Sequence, residues 1–122
     1  MTTPSAQTDR FVHDRLPPRD QWPELRYELP ELQLPDQLNL VARLLDDAVA
    51  HKGWADRPLL RSPTLTLSYA DTLERVNRIA NHLVHGLKLE PGNRVLLRGG
   101  NSIGMALAWL AVVKAGLVAV AT

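Results

Sequence analysis

The sequence predicts an α/β fold built around a strand–helix–strand unit and preceded by an extended, proline-rich arm. Three observations predict it. Residues 94–122, "RVLLRGGNSIGMALAWLAVVKAGLVAVAT", read as strand, turn, helix and strand in quick succession. The closing "LVAVA" is a continuous apolar run, the pattern of a parallel strand buried on both faces. Five of the nine prolines fall within residues 17–35, where each removes a backbone donor and holds its predecessor extended. Short turns between strand, helix and strand make a βαβ unit, and the twist of the strands makes its crossover right-handed.

Each element follows in order. Residues 1–10 are polar and without periodicity, and are expected to be disordered. Residues 11–37 are expected to form an ordered arm laid over a larger body, with Trp22, Leu25, Tyr27, Leu29 and Leu32 as its apolar anchors. From Leu38 the pattern changes to an incomplete α/β subdomain over residues 38–122. In "LNLVARLLDDAVAHKG", Leu40, Val41, Leu44, Leu45, Ala48 and Val49 form an apolar stripe. Arg43, Asp46, Asp47 and His51 face the other way, and Gly53 ends the helix. "RPLLRSPTLTLS" reads as a hairpin turning at Ser62-Pro63.

Ser68 is placed to cap the next helix, with Asp71 three residues on near its positive end. "YADTLERVNRIANHLVHGL" carries Leu73, Val76, Ala80, Leu83, Val84 and Leu87 on one side, with Glu74 and Arg78 as a solvated i,i+4 pair. "KLEPGN" is a turn. "RVLLR" is a short strand, and "SIGMALAWLAVVKAG" is a helix apolar on nearly all faces, so cover on more than one side is expected. A helix of that kind and a strand apolar on both faces call for neighbours beyond 122 residues, so the chain is expected to be the front of a longer protein.

Composition narrows the function classes. Hydrophobic content of 45% and charged content of 22% lie in the globular range. A net charge of +1 without a basic cluster argues against a nucleic-acid partner. Cysteine is absent, which removes disulfides and thiolate metal sites and fits a reducing, cytoplasmic setting. "MTTPSAQTDR" lacks the apolar stretch of a secretory signal. Residues 103–122 approach the length of a membrane span, but Lys114 would stand mid-segment at a cost of about 3 kcal/mol. Gly116 also reads as a helix stop, so no membrane span is expected.

Gly99, Gly100 and Gly104 lie where a phosphate loop would, yet neither the dinucleotide fingerprint nor the P-loop is completed. The plainer reading is a tight turn whose glycines permit positive φ, with Ser102 or Asn101 capping the helix. His82 and His85 are spaced by three, which suits a shared metal, but neither they nor His13 and His51 have the context of a metal site. Asp46, Asp47 and Glu74 sit on polar faces, and Ser5, Ser62, Ser68 and Ser102 lack a nucleophile elbow. Of Lys52, Lys88 and Lys114, the last is placed to complement a helix C-terminus. No catalytic, cofactor-binding or metal residue is assigned.

The stretch "LTLSYADTLERVNRIANHL … PGNRVLLRGGNSIGMALAWLAVVKAGLVAVAT" resembles the adenylate-forming, AMP-binding superfamily of acyl- and aryl-CoA synthetases, luciferases and peptide-synthetase adenylation domains. "LSYADTLERVNRIANHL" looks like that family's first core motif and "AWLAVVKAGLVAVA" like its second. "HDRLPPRDQWPE", "VLLRGGNS" and "VAVAT" look like the benzoate and 2-aminobenzoate CoA ligase branch. Two departures stand out, since the superfamily commonly has proline where Ala121 and Gly100 stand.

The resemblance implies the N-terminal portion of the large domain of such an enzyme. It implies an acid–thiol ligase: a carboxylate attacks the α-phosphorus of Mg·ATP, and the CoA thiol then displaces AMP. ATP, Mg2+ and CoA are thus implied for the full-length enzyme and none for these 122 residues alone, which would be inactive. The implied partners are the remainder of the polypeptide and an aromatic carboxylate, with homodimer formation or self-association through an unpaired sheet edge. The competing readings are a stand-alone α/β binding or interaction module without catalysis, and a dinucleotide-binding domain.

Overall fold

Why these residues make these elements is visible at their ends. A computed structural model describes residues 5–122, so the expectation of disorder over residues 1–10 lies outside the described residues for 1–4, while within 5–10 Thr8 and Asp9 are bonded to the Pro91 carbonyl. Asn39 starts the first helical segment, its Oδ1 accepting from the backbone N–H of Val41 and Ala42 at 3.1 Å each. A π-helical turn (Ala42–Asp46) runs into α1 (Asp47–Ala50), and Gly53 follows at φ +65°. β1 (Pro58–Arg61) and β2 (Thr66–Ser68) pair antiparallel, with Leu60 opposite Leu67 and a register slip after Pro58. Ser62 closes their turn, its N–H donating to the Leu65 carbonyl at 2.8 Å.

α2 (Tyr69–Asn81) starts from a reciprocal cap between Ser68 and Asp71 and ends in a second π-helical turn (His82–Gly86). β3 (Arg94–Leu97), α3 (Ile103–Lys114) and β4 (Val118–Ala121) follow, and β3 pairs parallel with β4 from Arg94↔Val118 to Leu97↔Ala121. The strand–helix–strand unit expected from the sequence is therefore present. The two pairs of strands form separate two-stranded sheets among the described residues.

The core gathers Val41 and Leu45 from the first helical segment, Leu67 from β2, Val76 from α2, and Leu107 and Ala111 from α3. Thr72 is fully buried among them, and its hydroxyl donates to the Ser68 carbonyl at 2.7 Å, which satisfies the polar atom the burial would otherwise strand. α3 packs against α2 and also against β3 and β4, so it is covered from more than one side, although Trp109 remains partly exposed.

Several expectations are corrected. The first apolar stripe is narrower than the sequence suggests: Val41, Leu45 and Ala48 are buried, while Leu40 and Leu44 face solvent. The buried positions 41, 45 and 48 follow the four-and-three spacing of a single narrow helical face, and Leu40 and Leu44 stand at its edge. Leu87 is likewise exposed, since it lies past the turn that ends α2. In the arm, only three short 3-10 turns form (His13–Arg15, Arg19–Gln21, Pro30–Leu32). Trp22, Leu25, Tyr27, Leu29 and Leu32 are 39–60% exposed rather than anchored on this body. The prolines prevent a helix or ladder that could aim those side chains at one surface. Among the described residues no helix is long and apolar enough to cross a membrane.

Candidate functional site

The turn between β3 and α3 is the first place to look for a phosphate cradle. Ser102 caps α3, its Oγ accepting from the Met105 N–H at 3.1 Å. Gly99, Gly100 and Gly104 do not take positive φ, against the expectation from the sequence. The glycines that do are Gly53, Gly92 and Gly116. The turn is passed in ordinary backbone geometry. Room for a side chain is open at Gly100, and only the mobile end of Met105 stands near Gly99. Nothing in this loop distinguishes a ligand seat from a capped helix start.

The other candidates are held in local bonds. Glu74 pairs with Arg78, and Asp47 pairs with Arg43 at 3.2 Å. His82 and His85 lie exposed on the second π-helical turn. Nδ1 of His13 lies 3.0 Å from the Arg10 guanidinium. Ser5 and Ser62 accept from nearby backbone N–H groups. Among the described residues no three His, Asp or Glu side chains are placed to hold a metal ion.

The structure brings together two groups that sequence reasoning missed. The first is at the end of α3. Lys114 Nζ lies 2.6 and 2.7 Å from the two carboxylate oxygens of Asp46, 68 residues earlier. Asp46 was expected on a solvated face, but it is turned toward α3. Asn39 Nδ2 donates to the Lys114 carbonyl at 2.8 Å, so one asparagine starts the first helical segment and holds the last turn of α3. The signal was present in the sequence: a lone lysine in the apolar "IGMALAWLAVVK" needs an anion to accompany its partial burial.

The second lies at the entry to β3. Asp9 Oδ1 accepts from the Phe11 N–H at 2.9 Å, and Oδ2 accepts from Asn93 Nδ2 at 2.8 Å and from Arg94. The Phe11 N–H first, then Asn93 and Arg94, hold the Asp9 carboxyl below the ordinary aspartate range. The Arg94 guanidinium also stands 4.5 Å from the Phe11 ring centroid, a cation–π distance. No sequence signal announces this cluster, because Asn93 and Arg94 lie 84 and 85 residues from Asp9. Both groups join segments of chain, and neither presents a nucleophile, a base or an open coordination position.

Comparison with known proteins supplies what the geometry alone does not. The family described as AMP-binding enzyme matches residues 46–122. The chain belongs to the AMP-binding enzyme family. Among solved structures this AMP-binding chain is similar to apo MatB from Rhodopseudomonas palustris, at 31% identity and a TM-score of 0.60. That match covers 69% of this chain and 16% of the MatB chain. The mixed α/β architecture is thus that of the N-terminal region of an adenylate-forming enzyme. No curated protein matches the chain. The family match begins at Asp46, so both halves of the Asp46–Lys114 pair lie inside it, whereas Asp9 and the proline-rich arm lie outside.

Proposed function

We propose that this chain works as the N-terminal part of the large domain of an ATP-dependent acid–thiol ligase whose acid is aromatic, benzoate or 2-aminobenzoate. The observation that carries the class is the AMP-binding family match across residues 46–122. The aromatic reading is supported by the "HDRLPPRDQWPE", "VLLRGGNS" and "VAVAT" segments, which resemble the benzoate and 2-aminobenzoate CoA ligases. In such a reaction the carboxylate, a poor electrophile, becomes a mixed anhydride with AMP before a thiol replaces the nucleotide.

The role of these residues is architectural. The capped β3–α3 turn and the Asp46–Lys114 tie position the parallel strands of the domain. No cluster among the described residues fits Mg2+, so no metal step is assigned to them.

The test is a thioester assay on the gene product that carries these residues, with Mg·ATP, CoA and a panel of aromatic and aliphatic acids. Thioester and AMP with benzoate or 2-aminobenzoate support the whole reading. Turnover with aliphatic acids alone would remove the aromatic assignment and keep the class. No thioester and no AMP with any acid would remove the class in favour of a binding module. The 122-residue chain assayed alone is expected to give no thioester.

A further inference from the structure

Pro91, Gly92 and Gly116 form a stack of two turns, and a third segment of chain lies on top of it. The Gly92 N–H donates to the Gly116 carbonyl at 2.9 Å, and the Val118 N–H donates to the Asn93 carbonyl at 2.8 Å. The turn before β3 is therefore bonded to the turn before β4, two residues ahead of the point where their ladder begins at Arg94↔Val118. Onto this junction the Asp9 N–H donates to the Pro91 carbonyl at 2.9 Å, and the Thr8 hydroxyl donates to the same oxygen at 3.2 Å.

Gly92 takes φ +95°, and a Cβ there would stand 2.1 Å from the Asp9 carbonyl oxygen and 3.1 Å from Cβ of Gln7. That oxygen belongs to the main chain and cannot swing aside. A side chain at position 92 and residues 7–9 in this place exclude each other.

We propose that residues 8–11 are a strap seated on Gly92, which locks the entry of β3 to the turn that feeds β4. Two kinds of contact hold it. The backbone contact depends on the missing side chain of Gly92. The polar contact runs from Asp9 to Asn93 and Arg94, with Phe11 under the Arg94 guanidinium. Arg94 of β3 is the charged group facing Asp9 across the junction, while Arg10 on the strap itself turns to His13 and Asp14. The strap lies outside the residues that the family model matches, whereas Gly92 and the β3–β4 pair lie inside them.

Limited trypsin digestion of the full chain reads the strap directly, because Arg10 lies within it while Arg75 and Arg78 lie on α2. Gly92→Ala is expected to speed cleavage after Arg10 by about tenfold, the factor that corresponds to about 1.4 kcal/mol of lost closure. The α2 sites should keep their rates. Asp9→Asn leaves the glycine turn untouched and, with each rate divided by that of an unstructured peptide carrying the same residues around Arg10, is expected to speed the same cleavage more modestly.

A folded Gly92→Ala chain with an unchanged Arg10 rate would overturn the proposal. If Gly92→Ala instead exposes the α2 sites as well, Asp9→Asn decides. Faster cleavage confined to Arg10 supports the strap, and an unchanged rate overturns it.

Discussion

Asp46 and Lys114 form one ion pair, but removing either partner leaves a different remainder. The Lys114 side chain is 18% exposed and that of Asp46 is 37% exposed. Without Lys114 the carboxylate still has water available. Without Asp46 the ammonium is left largely desolvated at the end of an apolar helix, with its favourable position near the helix C-terminus as partial compensation. Fully buried pairs cost 3–5 kcal/mol when one partner is lost and exposed pairs cost less than about 1 kcal/mol. Asp46→Ala is therefore expected to destabilise by about 2 kcal/mol. Lys114→Met keeps the apolar stem packed and is expected to cost about 1 kcal/mol or less. Urea titrations of both variants and the parent check the order. Equal midpoints, or Lys114→Met the weaker, would show that the pair is solvated like a surface one.

At the scale of elements, the start of α2 carries the clearest energetic signature. Ser68 Oγ accepts from the Asp71 N–H at 3.1 Å, and Asp71 Oδ2 accepts from the Ser68 N–H at 3.1 Å and from its hydroxyl at 2.8 Å. The Ser68 hydroxyl first, and its backbone N–H second, hold the Asp71 carboxyl below its ordinary value. A depressed carboxylate adds stability that is full above the unfolded-state value and is lost as pH falls through the folded-state value. Ser68→Ala is expected to cost about 1 kcal/mol at neutral pH. The gap should narrow on acidification through the aspartate range, because protonated Asp71 no longer distinguishes the two proteins as strongly. Thermal unfolding of both proteins across that range tests it, and a gap that widens on acidification would contradict the assignment.

The same element shows what made parts of this fold legible. A serine with an acid three residues on, before an apolar repeat, is a local signal, and so are the short turns around α3. Lys114 finding Asp46, and Asp9 finding Asn93 and Arg94, are pairings across the fold that no local pattern encodes. The sign of φ at a glycine is also set by where the chain must go next, which is why Gly92 and not Gly99 took the positive-φ turn.

For the whole molecule, surface area is the deciding quantity. A compact monomer of 13.6 kDa is expected to expose about 6,600 Å². This chain exposes 8983 Å². Part of the excess is the proline-rich arm. Another part is the β3–β4 sheet, where Leu96 and Val120 are register partners and so share a face, at 65% and 39% exposure. A two-stranded parallel sheet with an uncovered apolar pair and unpaired outer edges invites association, since both the backbone groups and the side chains gain partners by it. The 122-residue chain is expected to sediment above its monomer mass as concentration rises and to bind a dye that reports apolar surface. Leu96→Lys removes no core contact of consequence, because Leu96 is already the most exposed large apolar side chain among the described residues. It should shift the distribution toward monomer and weaken dye binding, since a charge there must be desolvated before two sheets can meet. A parent chain that stays monomeric at every concentration and leaves the dye dark would mean that the face is covered in solution. Association unchanged by Leu96→Lys would move the contact from the sheet to the exposed leucines of the proline-rich arm.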